Sequence, residues 1–420
     1  MKKHQFAAAM TGIVLLLLLP LPLILLVHRY LVDSRAHLLA IDLGIAAYVW
    51  WLAIIFLATR PKWLEKRLGL PVIYALHGML GVVALLAASI HQLKLPSFHA
   101  IVRNTGNLAW WLEIALVLLA VVFLSGWLSD RITFFDRLKK KLPHQVSLWL
   151  HRLNFVVIAL IWVHVHVIPR ITALPYFSLV FDLYTLLFLS LYAYQKFVAG
   201  GDPRQQGQVA GSRQLAPHVL EMTVKLGEAA GPAEAGGYYF LSVKAPGFSK
   251  EKHPFSVFKR GDKQVSFLIH EVGDYSQKLA DLPAGSQVSL EGPYGIFDQI
   301  IKENPDRPLV AYALGTGVAP LIDLAEEYAG KRPVHLVWSR GQAENYLADR
   351  LTGLTEKGVK VDQQEHRFKD DQLKEILSAE EISRGIFLVV GSGMVLKRVE
   401  GKLRQLGVQS SRIIDENIGM

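Results

Sequence analysis

Positions 7–198 carry six apolar runs, each about 20 residues long, the length that crosses a hydrocarbon core. They run Ala7–Val27, Leu39–Thr59, Val72–His91, Leu108–Leu128, Leu150–Ile168 and Phe177–Val198. A lipid core gives backbone groups no water partner, so runs of this kind are expected to form a helix bundle. The first run follows Lys2 and Lys3 and has the outline of a secretory leader. No small-residue cleavage site follows it, so it is expected to stay as a span. The chain is 51% hydrophobic, and the excess sits in its first half.

The net charge is +9. In a soluble protein that would suggest a nucleic-acid partner. Here much of the excess sits in short segments between apolar runs, so the expected partner is a lipid bilayer and not nucleic acid. The odd-numbered segments hold eleven Lys and Arg and the even-numbered segments five, which predicts both termini on the cytoplasmic side. The chain has no Cys. That excludes disulfides, cysteine-bound iron–sulfur clusters, thiolate-ligated haem and covalently attached haem.

Four histidines lie in two of the apolar runs: His77 and His91, 14 residues apart, and His151 and His164, 13 apart. At about 1.5 Å per residue each helix carries two imidazoles roughly 20 Å apart. The charge pattern runs both helices in the same direction, which puts His77 level with His151 and His91 level with His164. Two stacked pairs of axial ligands suit two six-coordinate b-type haems in series. A single histidine in a bundle is more often a hydrogen-bonded polar residue, and Asp42, Glu113 and Asp182 are further ionisable groups in these runs. A 14-residue step keeps one helix face, whereas a 13-residue step does not, so His166 competes with His164 as the outer ligand unless helix distortion or side-chain reach absorbs the offset. Phe155 falls between the two levels.

The second half is different. Residues 201–212 are Gly/Gln-rich and read as a linker, after a transmembrane domain over 1–200. Short alternating segments over 213–304 predict a small antiparallel β-barrel. Strand–helix alternation over 305–420 predicts an α/β domain with a parallel sheet. In it, Gly315, Thr316, Gly317 and Pro320 of GTGVAP follow an apolar strand and open a helix, a place where backbone N–H groups can cradle a pyrophosphate. Gly-rich strand–helix turns are also common without a ligand. In the next strand–helix turn, Ser339 and Arg340 lie where an adenosine ribose would sit, and an Arg there favours NADPH over NADH. In the barrel, His253, Pro254, Phe255 and Ser256 (HPFS) can meet a flavin ring, and Gly273, Tyr275 and Ser276 of GDYS precede a short helix that can hold its pyrophosphate.

With these motifs in this order the chain resembles the ferric reductase and NADPH oxidase superfamily over nearly its whole length. The four histidines match the family's haem-ligand spacing. HPFS, GDYS and EGPYG (291–295) match a ferredoxin–NADP reductase FAD domain. The resemblance further implies that Ser339, Arg340 and Tyr346 contact the 2′-phosphate and adenine of NADPH, and that Gly391, Ser392, Gly393 and Met394 form the nicotinamide-side turn. Where the family often has Cys, near Ser392, this chain has none, and its last 50 residues hold no aromatic beyond Phe387 to cover the flavin. No calcium-binding loop is visible. The implied activity is electron flow from NADPH through FAD and two haems to an outer acceptor. O2 giving superoxide is favoured by the likeness in length and motif order to minimal bacterial NADPH oxidases, with a ferric chelate as the alternative. His99 and Arg103, expected in an outer loop, would attract an anionic acceptor or product. A haem relay subunit without its own flavin and a transporter with its first helix broken at Pro20 and Pro22 are the rival readings.

Overall fold

Apolar length dictates the first half. In the computed structural model, which describes residues 2–31, 33–124, 144–199, 205–227, 234–245, 248, 252–271, 273–341 and 345–417, six helices are long and apolar enough to cross a membrane. They are Phe6–Tyr30, Arg35–Leu57, Leu70–Lys94, Ala100–Leu124, Val146–His166 and Pro175–Val198, spans 1 to 6 below. The chain divides into two compact units, Phe6–Asp202 and Pro203–Met420 with Met1–Gln5.

In the first unit, span 2 is the most enclosed. Tyr48, Val49, Leu52 and Ala53 are all buried, and Tyr48 Oη lies 2.9 Å from Thr185 Oγ1 on span 6 while its ring stacks on Phe181. Leu25, Leu86, Leu118 and Leu186 point outward, an apolar exterior that suits lipid. Span 1 turns at Leu19–Pro20 and resumes at Leu21, because Pro20 has no N–H to continue the helical ladder. Span 4 begins earlier than expected. Arg103 therefore stands on a helix that opens at Ala100, and only His99 precedes it. The basic cluster expected between spans 4 and 5, Arg131 to Lys141, lies outside the described residues.

Span 5 is the least regular. Its helix runs His144–His151 and resumes at Asn154–His166. Between them four bonds of the i→i+3 type form: Arg152 N to Trp149 O, Leu153 N to Leu150 O, Phe155 N to Arg152 O and Val156 N to Leu153 O. Such bonds overwind the chain to three residues per turn, adding roughly 20° per residue, so four recover about 80° of the roughly 140° by which 13 regular residues miss a whole turn.

The second unit has two sheets. Strands β1 (Gln205–Ala216), β2 (Val219–Leu226), β3 (Tyr238–Val243), β4 (His253–Gly261), β5 (Gln264–His270) and β6 (Gln287–Tyr294) form an antiparallel sheet in the order β1-β2-β5-β4-β3-β6. β6 pairs back onto β1 through Gln205↔Leu290 to Gln208↔Gln287. The expected linker is thus corrected: from Gln205 onward it is paired strand. The residue type fits, since a Cβ on Gly207 would meet Val224 Cγ1 at 2.5 Å, so only glycine allows the close pairing there. Strands β7 (Leu309–Leu314), β8 (Val334–Ser339), β9 (Lys360–Gln364), β10 (Ile386–Gly391) and β11 (Ile413–Asn417) form a parallel sheet in the order β11-β10-β7-β8-β9. β7, β8 and β10 are buried along their whole length, as crossover helices on both faces require.

Candidate functional site

The four expected histidines meet as two pairs. The ring centroids of His77 and His151 are 6.1 Å apart, and those of His91 and His164 are 6.3 Å apart. A coordinating imidazole nitrogen stands about 2 Å from a metal and about 1.1 Å from its own ring centre, so two trans ligands have centroids roughly 6.3 Å apart. Both pairs fit a bis-imidazole iron. Three of the rings are held from behind by a backbone carbonyl: His77 Nδ1 by Ile54 O at 3.1 Å, His91 Nδ1 by Ala40 O at 2.8 Å and His164 Nδ1 by Val102 O at 3.0 Å. A carbonyl accepts the Nδ1 proton and leaves Nε2 as the lone-pair donor, the usual support of a metal-binding histidine. His151 stands at the broken turn of span 5 beside Asn154, with Asn154 Nδ2 3.5 Å from its Nδ1.

Two glycines make room for these rings. A Cβ on Gly44 would lie 2.5 Å from His91 Nδ1, and one on Gly106 would lie 3.0 Å from His164 Cε1. His166 turns elsewhere. Its ring stacks on Trp162 at 4.1 Å and its Nε2 lies 3.3 Å from Asp182 Oδ1. Phe155 packs edge-on against Tyr192 at 4.9 Å.

In the antiparallel sheet, HPFS opens β4 and GDYS opens the short helix Asp274–Ala280. The two motifs touch: the Tyr275 ring stacks on His253 at 3.8 Å. Pro254 and Ser256 pair with Phe240 and Tyr238 on β3, and Phe255 is half-buried beside Phe267. The Ser276 hydroxyl accepts from Gly273 N at 3.1 Å and donates to Gly273 O at 3.0 Å, fixing the turn. No atom lies within 4 Å of a Cβ built on Gly273, so the turn is open on that side. Tyr294 Oη donates to Glu291 Oε1 at 2.7 Å within EGPYG, and Lys252 pairs with Glu291.

In the parallel sheet, Gly315 (φ +56°), Thr316 and Gly317 form a tight turn between β7 and the helix Val318–Tyr328, whose first turn contains Pro320. A Cβ on Gly315 would meet nothing within 4 Å, whereas one on Gly317 would strike Val390 O at 2.6 Å. The first glycine leaves an open face for a phosphate and the second allows close approach to β10. Arg340 follows β8. Its N–H donates to Gln364 O at 2.9 Å, and its guanidinium lies 3.9 Å from the exposed Glu365 carboxylate. Two expected contacts have packing roles. Ser339 is 4% exposed at the end of β8, and Tyr346 packs edge-on against the buried Trp338 at 5.5 Å. Burial pushes the Tyr346 phenol above its ordinary range. Gly391 ends β10, Ser392 caps the helix Gly393–Gln405, and Gly393 and Met394 are its first residues.

The structure adds residues that no motif announces. Trp338 Nε1 donates to Gly315 O at 2.9 Å and so holds the glycine turn. Asp323, on the helix that follows this turn, accepts from Gly236 N at 2.9 Å and from Arg260 Nε at 3.0 Å. Burial raises the Asp323 carboxyl, against the pull of Gly236 and Arg260. Arg350 donates to Glu326 at 2.7 Å and to Phe258 O at 3.2 Å. Arg260 and Phe258 both belong to β4, so the strand that carries HPFS is tied to the helix that opens at GTGVAP.

No family model matches the sequence. Among curated proteins, the chain is 25% identical over 165 residues to a probable dihydroorotate dehydrogenase B (NAD(+)) electron transfer subunit of Methanocaldococcus jannaschii, covering 38% of this chain and 60% of that one. It is 33% identical over 140 residues to the toluate 1,2-dioxygenase electron transfer component of Pseudomonas putida, covering 32% and 40%. The chain therefore spans less than two thirds of either relative. Among solved structures, a flavohemoglobin from Malassezia yamatoensis with bound FAD and heme matches with a TM-score of 0.51 at 16% identity, covering 94% of this chain and 98% of that one. That likeness bears on the fold alone. The class defined is the ferredoxin–NADP reductase-like FAD/NAD-binding fold, preceded by six apolar helices. Its relatives in sequence are electron-transfer oxidoreductase components.

Proposed function

We propose that the chain is an integral membrane oxidoreductase of the NADPH oxidase and ferric reductase type. It would carry electrons from cytoplasmic NADPH through FAD and two b-type haems to an acceptor at the outer face. O2 giving superoxide is the acceptor we favour, and a ferric chelate is the alternative. The observation that carries this reading is the pairing of four imidazoles at two levels, each pair spaced for one iron. When bound, FAD accepts an electron pair as hydride and releases electrons singly, and iron porphyrins pass them on one at a time.

The chain's own residues have distinct tasks in this scheme. His77 and His151 hold the inner iron, and His91 and His164 the outer. With two imidazoles supplied to each iron, a bound haem would supply one-electron transfer to an acceptor outside its coordination shell. HPFS and GDYS hold the flavin and its pyrophosphate. Gly315 to Pro320 receive the NADPH pyrophosphate, Arg340 the 2′-phosphate, and Gly391 to Met394 line the nicotinamide side. The division into 1–200, 213–304 and 305–420 follows these tasks, with the paired strand from Gln205 assigned to the flavin part. The excess of Lys and Arg in odd-numbered segments supports cytoplasmic termini.

The test is anaerobic reduction of the purified full chain by NADPH, followed by O2 or a ferric chelate, with superoxide and Fe²⁺ measured separately. A preparation without a Soret band would overturn the reading. A haem-loaded preparation that binds no flavin would leave the relay-subunit reading in its place.

A further inference from the structure

Glu113 is the one carboxylic side chain of the described spans that is 98% enclosed, and it has no role in the scheme above; it is 2% exposed and its Oε2 has no hydrogen-bond partner. It lies on the buried stripe Val102, Ala109, Glu113, Leu116 of span 4. Gly106, on the same helix, abuts His164. Seven residues further, Glu113 stands about 10 Å along the axis from that level. Asn107 meets Gln92, and Trp110 Nε1 donates to Ser89 Oγ at 2.9 Å, so span 4 runs antiparallel to span 3 and Glu113 is displaced toward the His77/His151 level. His77 and His91 are 14 residues apart, about 21 Å. Glu113 is thus at mid-depth between the two imidazole pairs.

The ionisable residues on the spans packed against span 4 are Tyr74, His77, His91 and Lys94 on span 3, and His151, Arg152, His164 and His166 on span 5. None of the described side chains donates to Oε2. An ionised carboxylate with no counter-charge costs several kcal/mol in such a medium, so Glu113 needs either a proton or a nearby positive charge. The core of a ferric porphyrin with two neutral imidazoles, its propionates aside, carries one positive charge, and the ferrous core carries none.

We propose that Glu113 is a redox-linked proton site: ionised while both irons are ferric, and protonated when an electron resides between the spans. The step balances. One electron converts Fe³⁺ to Fe²⁺, and one proton from water forms an O–H bond on the carboxylate. When the electron leaves for the acceptor, iron returns to Fe³⁺ and the proton returns to water. The inference rests on the haem assignment above, and its test separates the two.

Full-length haem-loaded protein in nanodiscs is titrated anaerobically at several pH values, with the haem bands followed. In the wild type at least one midpoint potential falls as pH rises, toward the limit of 59 mV for each tenfold change in proton activity. In Glu113→Gln that dependence is lost at unchanged haem content, and in Glu113→Asp it is retained. Redox-difference infrared spectra of the wild type show a carboxylic C=O band appearing on reduction, absent in Glu113→Gln. A pH-independent wild-type potential, or a slope and band that survive in Glu113→Gln, overturns the proposal. Should Glu113→Gln bind no haem, the wild-type slope and band alone decide it. A protein with no haem bands at all overturns the haem assignment instead.

Discussion

Gly44 lies directly behind the His91 ring: a methyl group on its Cα would fall 2.5 Å from His91 Nδ1. The imidazole is also bonded to Ala40 O, one turn earlier on the same helix. Any side chain at position 44 therefore displaces the ring and breaks its carbonyl bond together. Gly44→Val should lower haem content by roughly half, with the His77/His151 pair still loaded. Haem quantification against protein, with spectra resolved by redox titration, checks this. Unchanged stoichiometry would show that the ring does not need the space.

His164 and His166 should separate cleanly. His164 faces His91, while His166 is stacked on Trp162 beside Asp182. His164→Ala should lose one haem, and His166→Ala should keep both. Equal losses in the two variants would point to a structural effect on span 5 and against the assignment.

Arg340 is held by its own backbone against β9 and faces the exposed Glu365. Arg340→Ala should raise KM for NADPH by roughly tenfold, the worth of one charge-assisted contact, and leave KM for NADH nearly unchanged. Steady-state dye reduction with both nucleotides tests it. Equal changes for the two would remove the 2′-phosphate role.

His335 is 1% exposed and lies between two carboxylates, with Nδ1 2.8 Å from Glu381 Oε1 and Nε2 2.8 Å from Asp362 Oδ2. Burial alone would raise the Glu381 carboxyl, but hydrogen bonds from His335 and from Ser378 N hold it down at about 2. A depressed carboxyl stabilises the fold above its unfolded value of 4.5, and that contribution disappears as pH falls from 4.5 toward 2. Glu381→Gln should lower the melting temperature of the parallel-sheet part at neutral pH and flatten its decline in acid. Thermal unfolding of the full chain across that window reads both effects.

The spans and the imidazole pairs were legible because both are local properties: run length sets one, and the spacing of a rare residue type in apolar sequence sets the other. GTGVAP was legible because a glycine turn after an apolar strand has a direct backbone meaning. β1 was hidden because its Gly- and Gln-rich composition is that of a flexible connector, although both its edges are paired. The 13-residue step allowed for a distortion in span 5, but its position was hidden because HRLNF has neither Pro nor Gly to announce it. Gly44 and Gly106 were hidden for another reason. Their meaning depends on which helix lies opposite, and nothing near position 44 refers to position 91. The Arg260–Asp323 tie is of the same kind, since its members are separated by 63 residues.

The overwound turn at Arg152–Leu153 has a consequence for how this span can vary. A local defect brings His151 and His164, the two proposed ligands, closer to one face, so the number of residues between them and the winding of those residues must change together. Deleting the defect while keeping the count would leave both histidines present, equally deep, and facing different neighbours. A comparison of related chains that scored spacing alone would miss such a loss entirely.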